Sequence, residues 1–162
     1  MSTVLKPPTM VKDVNHASTP YLTHLFWRIA WYEWYPDYSV PFSDLSVSAG
    51  DVIRANVTAF STTSGIATIE NLTTGQSKHE QLSSTYPLCG QNAEWIVDDY
   101  SDDNNNTVPF ANFGTVTFKD GKATGPRGTF AFSGATIIEM VENGEPATSV
   151  TIDGTYLTIK DS

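Results

Sequence analysis

The run Asn92-Ala93-Glu94-Trp95-Ile96-Val97-Asp98-Asp99 places three carboxylates on an apolar, β-prone segment. Carboxylates in such a setting cost free energy unless they are paired, hydrated or used, which makes them candidates for chemistry. As a strand, the run alternates: Glu94, Ile96 and Asp98 share one face, and Trp95, Val97 and Asp99 the other. A second segment, Trp31-Tyr32-Glu33-Trp34-Tyr35, puts Trp31, Glu33 and Tyr35 on a common face. A sheet surface bearing Glu33, Glu94 and Asp98 among large rings would form a polar cleft able to hold an extended peptide or a sugar chain. The competing reading is that these acids decorate the solvent face of a sandwich, and on pattern alone it is the stronger of the two.

Other chemistries find little support. Only His16, His24 and His79 are present, widely separated and without a His-x-x-x-His pair, and Cys89 is the single cysteine. No zinc site is therefore expected. The oxygen-rich stretch from Asp98 to Asn106 lacks the spacing and the glycine of a calcium loop, so a solvated loop is the preferred reading. There is no G-x-S-x-G elbow, and Cys89 follows Pro-Leu rather than a cysteine-protease signature. A net charge of −9 argues against nucleic acid as a partner, because binding by counterion release needs a basic face. The apolar stretch from Leu22 to Trp34 is broken by His24, Arg28 and Glu33 and is not a membrane span. Charged residues make up only 17% of the chain, a balance suited to acid because little charge changes on protonation. Three N-x-Ser/Thr sequons, at Asn56, Asn71 and Asn105, would mark exposed glycan acceptors in a secreted chain.

The elements that must position these residues are strands. The 162 residues amount to one domain with a real core, 40% hydrophobic and 12% aromatic. Residues 1–29 show no sustained period and read as a poorly ordered lead-in without a signal-peptide pattern. From about Phe26, β-prone segments recur with turn signals every 8–12 residues. Strands are expected at 31–35, 51–60, 66–71, 77–82, 92–99 and 114–118, with Thr73-Thr74-Gly75 turning a hairpin. Tyr86 to Gly90 is read as a connection, Asp102 to Thr107 as a polar loop and Gly125 to Gly128 as a break. Residues 136–141, 148–152 and 156–159, punctuated by Asn143-Gly144 and Asp153-Gly154, are expected to form a three-stranded meander. No apolar pattern at helical spacing survives beyond about two turns. The fold class is all-β: antiparallel strands in two packed sheets, a β-sandwich.

Several of these segments resemble the fungal glutamic peptidases, or eqolisins. They are Ala30-Trp31-Tyr32-Glu33-Trp34-Tyr35-Pro36-Asp37-Tyr38, Ser48 to Asp51, Ala67 to Gly75, Cys89 with Asn92 to Val97, Val108 to Ala111 and Gly134 to Ile138. The resemblance runs in order from about Ala30 to the C-terminus. It implies a lectin-like, concanavalin-like sandwich and a secreted endopeptidase acting on protein or peptide at acid pH, without metal or cofactor. In that family a glutamate activates the attacking water and then protonates the leaving nitrogen, while a glutamine amide stabilises the tetrahedral intermediate. The resemblance puts Asp98 at the glutamate's position, and the shared strand face makes Trp31 and Glu33 the candidate substrate-binding members of the cleft. Glu94 is assigned a structural role.

This sequence departs from the family's pattern in two ways. Asp98 is shorter than glutamate by one methylene, about 1.5 Å. The family's glutamine lies in a Leu-Gln-Thr-Gly-like segment before the Trp-rich block, where residues 1–29 do not match. Gln76, Gln81 and Gln91 all lie downstream and cannot be carried over. In many relatives the cysteine equivalent to Cys89 is bonded to one near that glutamine. The expectation is an incomplete sandwich over residues 30–162, its N-terminal strands missing or replaced, with weak or absent activity. A non-catalytic peptide- or glycan-binding module and an unstable fragment are the alternatives. Oligomeric state is not readable.

Overall fold

The computed structural model describes the backbone of residues 5–10 and the residues 30–97, 112–142 and 144–161. All regular structure among them is β, and the chain divides into two compact units, Met1–Gln91 and Asn92–Ser162.

In the first unit, β1 (Leu5–Met10), β2 (Ala30–Trp34) and β3 (Val40–Pro41) form an antiparallel sheet with β2 central. β4 (Ile53–Ala59), β5 (Ser64–Asn71) and β6 (Gln76–Ser83) form a second, with β5 central. The expected hairpin is present: Asn71 pairs with Gln76, and Gly75 takes a left-handed φ of 77° at the end of the turn. Strict alternation appears on β5, where Gly65, Ala67, Ile69 and Asn71 are buried and the residues between them half-buried. Ala67 and Ile69 meet Ala30 of β2, together with Phe42 and Leu45, in one buried cluster. Tyr32, Val47, Ile53 and Leu82 close over it, with Tyr32 and Phe42 edge to face at 5.0 Å. The two sheets thus share a core, as a sandwich requires. The strand Leu5–Met10 was not foreseen: it pairs with β2 inside the stretch read as a poorly ordered lead-in.

The second unit is built on an antiparallel sheet in the order β12 (Thr148–Asp153), β13 (Tyr156–Asp161), β7 (Thr115–Lys119). Between β7 and β12 lie two small ribbons, β8 (Ala123–Gly125) with β9 (Gly128–Phe130), and β10 (Val141–Glu142) with β11 (Glu145–Pro146). Leu157 and Ile159 of β13 and Phe132 are buried, backed by Phe118, Val150, Ile152, Phe113, Trp95 and Val97. The β12–β13 turn holds Gly154 at the first of its two loop positions, with φ 58°.

Two expectations are corrected here. The third strand of the C-terminal sheet is β7, not residues 136–141. Most of that segment joins no ladder, and the Glu139 carboxylate, not a main-chain carbonyl, accepts the Val150 N–H at 3.1 Å. The described part of the 92–99 run is not a strand in any sheet. Its alternation is real all the same: Trp95 and Val97 are half-buried against the Phe132 cluster, while Glu94 and Ile96 are exposed.

Candidate active site

On β2, Ala30, Tyr32 and Trp34 take the core side, leaving Trp31 and Glu33, both half-buried, on the opposite face. Ladder bonding on both sides of β2 holds that face, with Trp31 paired to Thr9 and Pro41 and Glu33 to Lys6. The Trp34 indole N–H donates to the Tyr86 carbonyl at 2.8 Å and ties the 86–90 connection to this strand. Beyond the cis Tyr35–Pro36 bond, the Asp37 carboxylate accepts the Ser84 hydroxyl at 2.6 Å. On the core side, burial and then the Glu80 carboxylate raise the Tyr32 phenol above its ordinary pKa.

The structure therefore brings Trp31 and Glu33 to one face of one strand, as the alternation requires. Glu94 lies in the other unit, exposed, and Asp98 lies outside the described residues. What the second unit does show is the approach to Asp98. The Trp95 indole stands edge to face on Phe132, with ring centroids 5.0 Å apart and planes at 79°.

Two features escaped the sequence reading. Asn71, taken there as a sequon, is 0% exposed. Its amide nitrogen donates to the Ser46 carbonyl at 3.0 Å and to Asp51 Oδ2 at 2.7 Å, and its oxygen accepts the Thr73 and Thr74 N–H groups. Asp51 Oδ2 also accepts the Ser48 N–H at 2.8 Å. This network clamps the loop before β4 to the β5–β6 turn, and an amide nitrogen so engaged is not an exposed glycan acceptor in the folded chain. Asn56 is exposed on β4, and Asn105 lies outside the described residues. The second feature is Gly121, which abuts Trp95 and Phe132. Its only sequence signal is the Asp120-Gly121 pair that follows the strand expected at 114–118. Among the described residues, no group of three His, Cys, Asp or Glu side chains is placed to hold a metal.

The profile of the Peptidase A4 family matches residues 28–161, a span that includes Trp31, Glu33, the Trp95 run and Asp98. The chain belongs to the Peptidase A4 family. It is 45% identical over 132 residues to aspergillopepsin-2 of Aspergillus niger, covering 80% of this chain and 46% of that protein. The chain thus spans about half the length of this relative. Superposed on the crystal structure of aspergilloglutamic peptidase from Aspergillus niger, it gives a TM-score of 0.83 at 37% identity, covering 99% of this chain and 91% of that one. Scytalido-glutamic peptidase, crystallised with a peptide-based transition state analog, matches at a TM-score of 0.76 and 38% identity, covering 83% of this chain and 69% of that one. The all-β antiparallel architecture is that of the Peptidase A4 family.

Proposed function

We propose that this Peptidase A4 chain carries the carboxylate half of an acid endopeptidase, with Asp98 as the residue that activates water. What supports the reading most is one observation: the family match spans residues 28–161, and within it Asp98 follows Trp95-Ile96-Val97, the position that the sequence resemblance pairs with the family's glutamate. Asp98 takes a proton from the attacking water, the water oxygen bonds to the scissile carbonyl carbon, and the same proton passes to the leaving nitrogen as the C–N bond breaks. Trp31 and Glu33, together on the outer face of β2, are the proposed contacts for an extended peptide. The setting is extracellular and acidic, as for the family.

The 162-residue chain by itself turns over weakly or not at all. A base displaced by roughly 1 Å loses on the order of a hundredfold in rate, and aspartate is short by more than that. The family's donor to the developing oxyanion is a glutamine of a Leu-Gln-Thr-Gly-like segment, to which the sequence around Gln76, Gln81 and Gln91 does not correspond.

The test is cleavage of an unfolded protein substrate at pH 2–4. Residual cleavage should vanish in Asp98→Ala and rise on the order of a hundredfold in Asp98→Glu. Cleavage that survives Asp98→Ala overturns the assignment. Peptide binding lost in Trp31→Ala, with no cleavage even in Asp98→Glu, turns the reading to a binding module.

A further inference from the structure

Two Asn-x-Thr sequons, Asn56-Val57-Thr58 and Asn71-Leu72-Thr73, have their acceptor residues on adjacent strands of one sheet, β4 and β5. Alike in sequence, they differ in face. Ala67 and Ile69 turn toward the core shared with β2, so Thr68 between them turns outward. Asn56 is paired with Thr68 and shares its face with Arg54 and Thr58, and all three of these β4 residues are exposed. Asn71 has the parity of the core side and is fully buried.

Glycosylation is made at the amide nitrogen. Nδ2 bonds to the anomeric carbon of an oligosaccharide carried on a lipid diphosphate. The anomeric C–O bond breaks, the diphosphate leaves with its electron pair, and one amide proton is released. The product keeps a single N–H. Asn71 uses its amide nitrogen twice, toward the Ser46 carbonyl at 3.0 Å and Asp51 Oδ2 at 2.7 Å. A sugar there would remove one of those bonds and enter a filled interior. The Asn56 amide makes no hydrogen bond among the described residues, and Arg54 on the same face is drawn to Glu70 at 2.9 Å. The Asn56 main chain is nevertheless held. The Leu72 N–H to Val52 carbonyl bond and the Phe60 N–H to Ser64 carbonyl bond set the phase of the ladder, which makes Asn56 and Thr68 a bonded pair. A bulky group on Asn56 would hang from a fixed backbone at an exposed position.

We infer that Asn56 is an acceptor for an N-linked oligosaccharide and that Asn71 is not. The inference rests on the extracellular setting proposed above. Trp31 and Glu33 are on the outer face of β2, across the shared core from the outer face of β4 and β5. A glycan at Asn56 therefore leaves the side proposed for the peptide open.

The experiment directs the full chain into the secretory pathway of a yeast with an appended leader. The product is treated with peptide N-glycosidase in ¹⁸O-labelled water, which turns each glycosylated asparagine into labelled aspartate for site-by-site mass spectrometry. Asn56 should carry the label and Asn71 should not. Asn56→Gln should remove one step of the glycosidase-sensitive gel shift. Thr58→Ala, which keeps the asparagine and breaks the sequon, should remove the same step. An unlabelled Asn56 overturns the inference, and so does label at Asn71 in the secreted chain. Where little chain is secreted, the digest is made on chain from the microsomes: label at Asn56 there supports the inference and its absence overturns it. Because the leader supplies the setting, an unlabelled Asn56 counts against the acceptor alone. Absence of acid cleavage even in Asp98→Glu counts against the proposed function alone.

Discussion

The two units hold their key side chains by different means. On β2, Trp31 and Glu33 sit on a strand bonded along both edges, with alternate residues locked into the core shared with β5. In the second unit, residues 92–97 join no ladder among the described residues, and Trp95 and Val97 pack on the Phe132 cluster. A ladder fixes backbone position by many hydrogen bonds, so losing one core side chain leaves register intact. A run without a ladder depends more on its packed side chains. The same core damage should therefore have different consequences in the two units.

The largest effects come from the two cores. Phe132→Ala should cost about 3–5 kcal/mol by urea denaturation and also displace Trp95, reducing any Asp98-dependent cleavage beyond what the unfolded fraction explains. Ile69→Ala, equally buried in the first unit, should cost about 2–5 kcal/mol and leave the activity of the folded fraction unchanged. Equal losses of specific activity in both variants would break the contrast.

Asn71→Ala comes next. It removes one partner from the Asp51 carboxylate, which keeps the Ser48 N–H, and the side-chain partner of three backbone groups, and should cost about 1–3 kcal/mol in the same denaturation measurement. Serine in place of Asn71 should recover little, because its single hydroxyl cannot serve both pairs of partners.

Smaller still is a pH effect. The Tyr32 phenol is raised in the folded state by burial and by Glu80, so on alkaline titration the unfolded chain loses this proton first. Stability contributed here is complete below about pH 10, the unfolded value, and is lost as pH rises through the folded one. Tyr32→Phe should flatten that part of the alkaline melting curve and change nothing at acid pH. Smallest is Arg54→Ala. The 2.9 Å Arg54–Glu70 ion pair spans the exposed faces of β4 and β5, and its loss should shift stability by less than about 0.5 kcal/mol.

Legibility followed the same division. The strands at 53–59 and 64–71, and the Thr73-Thr74-Gly75 turn, could be read because β-prone composition between turn signals and a glycine at positive φ are local properties. The C-terminal sheet was half legible. Its β12–β13 hairpin carries Asp153-Gly154, but its third strand comes from Thr115–Lys119, and no local signal says which distant strand will pair. The 92–97 run has the composition and alternation of a strand without the ladder, and pairing is a property of two segments. Asn71 and Gly121 were visible only as a sequon and a turn glycine.

For this protein the sequence by itself determined the all-β class, the alternating faces that set Trp31 with Glu33 and Trp95 with Val97, and the ordered blocks that mark the Peptidase A4 family. Those depend on neighbouring residues along one chain segment. Tertiary structure alone decided that Asn71 is a buried clamp, that β7 completes the C-terminal sheet, and that Gly121 leaves the room in which Trp95 sits. Each of these is a contact between residues 20 or more positions apart in sequence, where close packing admits one arrangement and local propensity does not choose it.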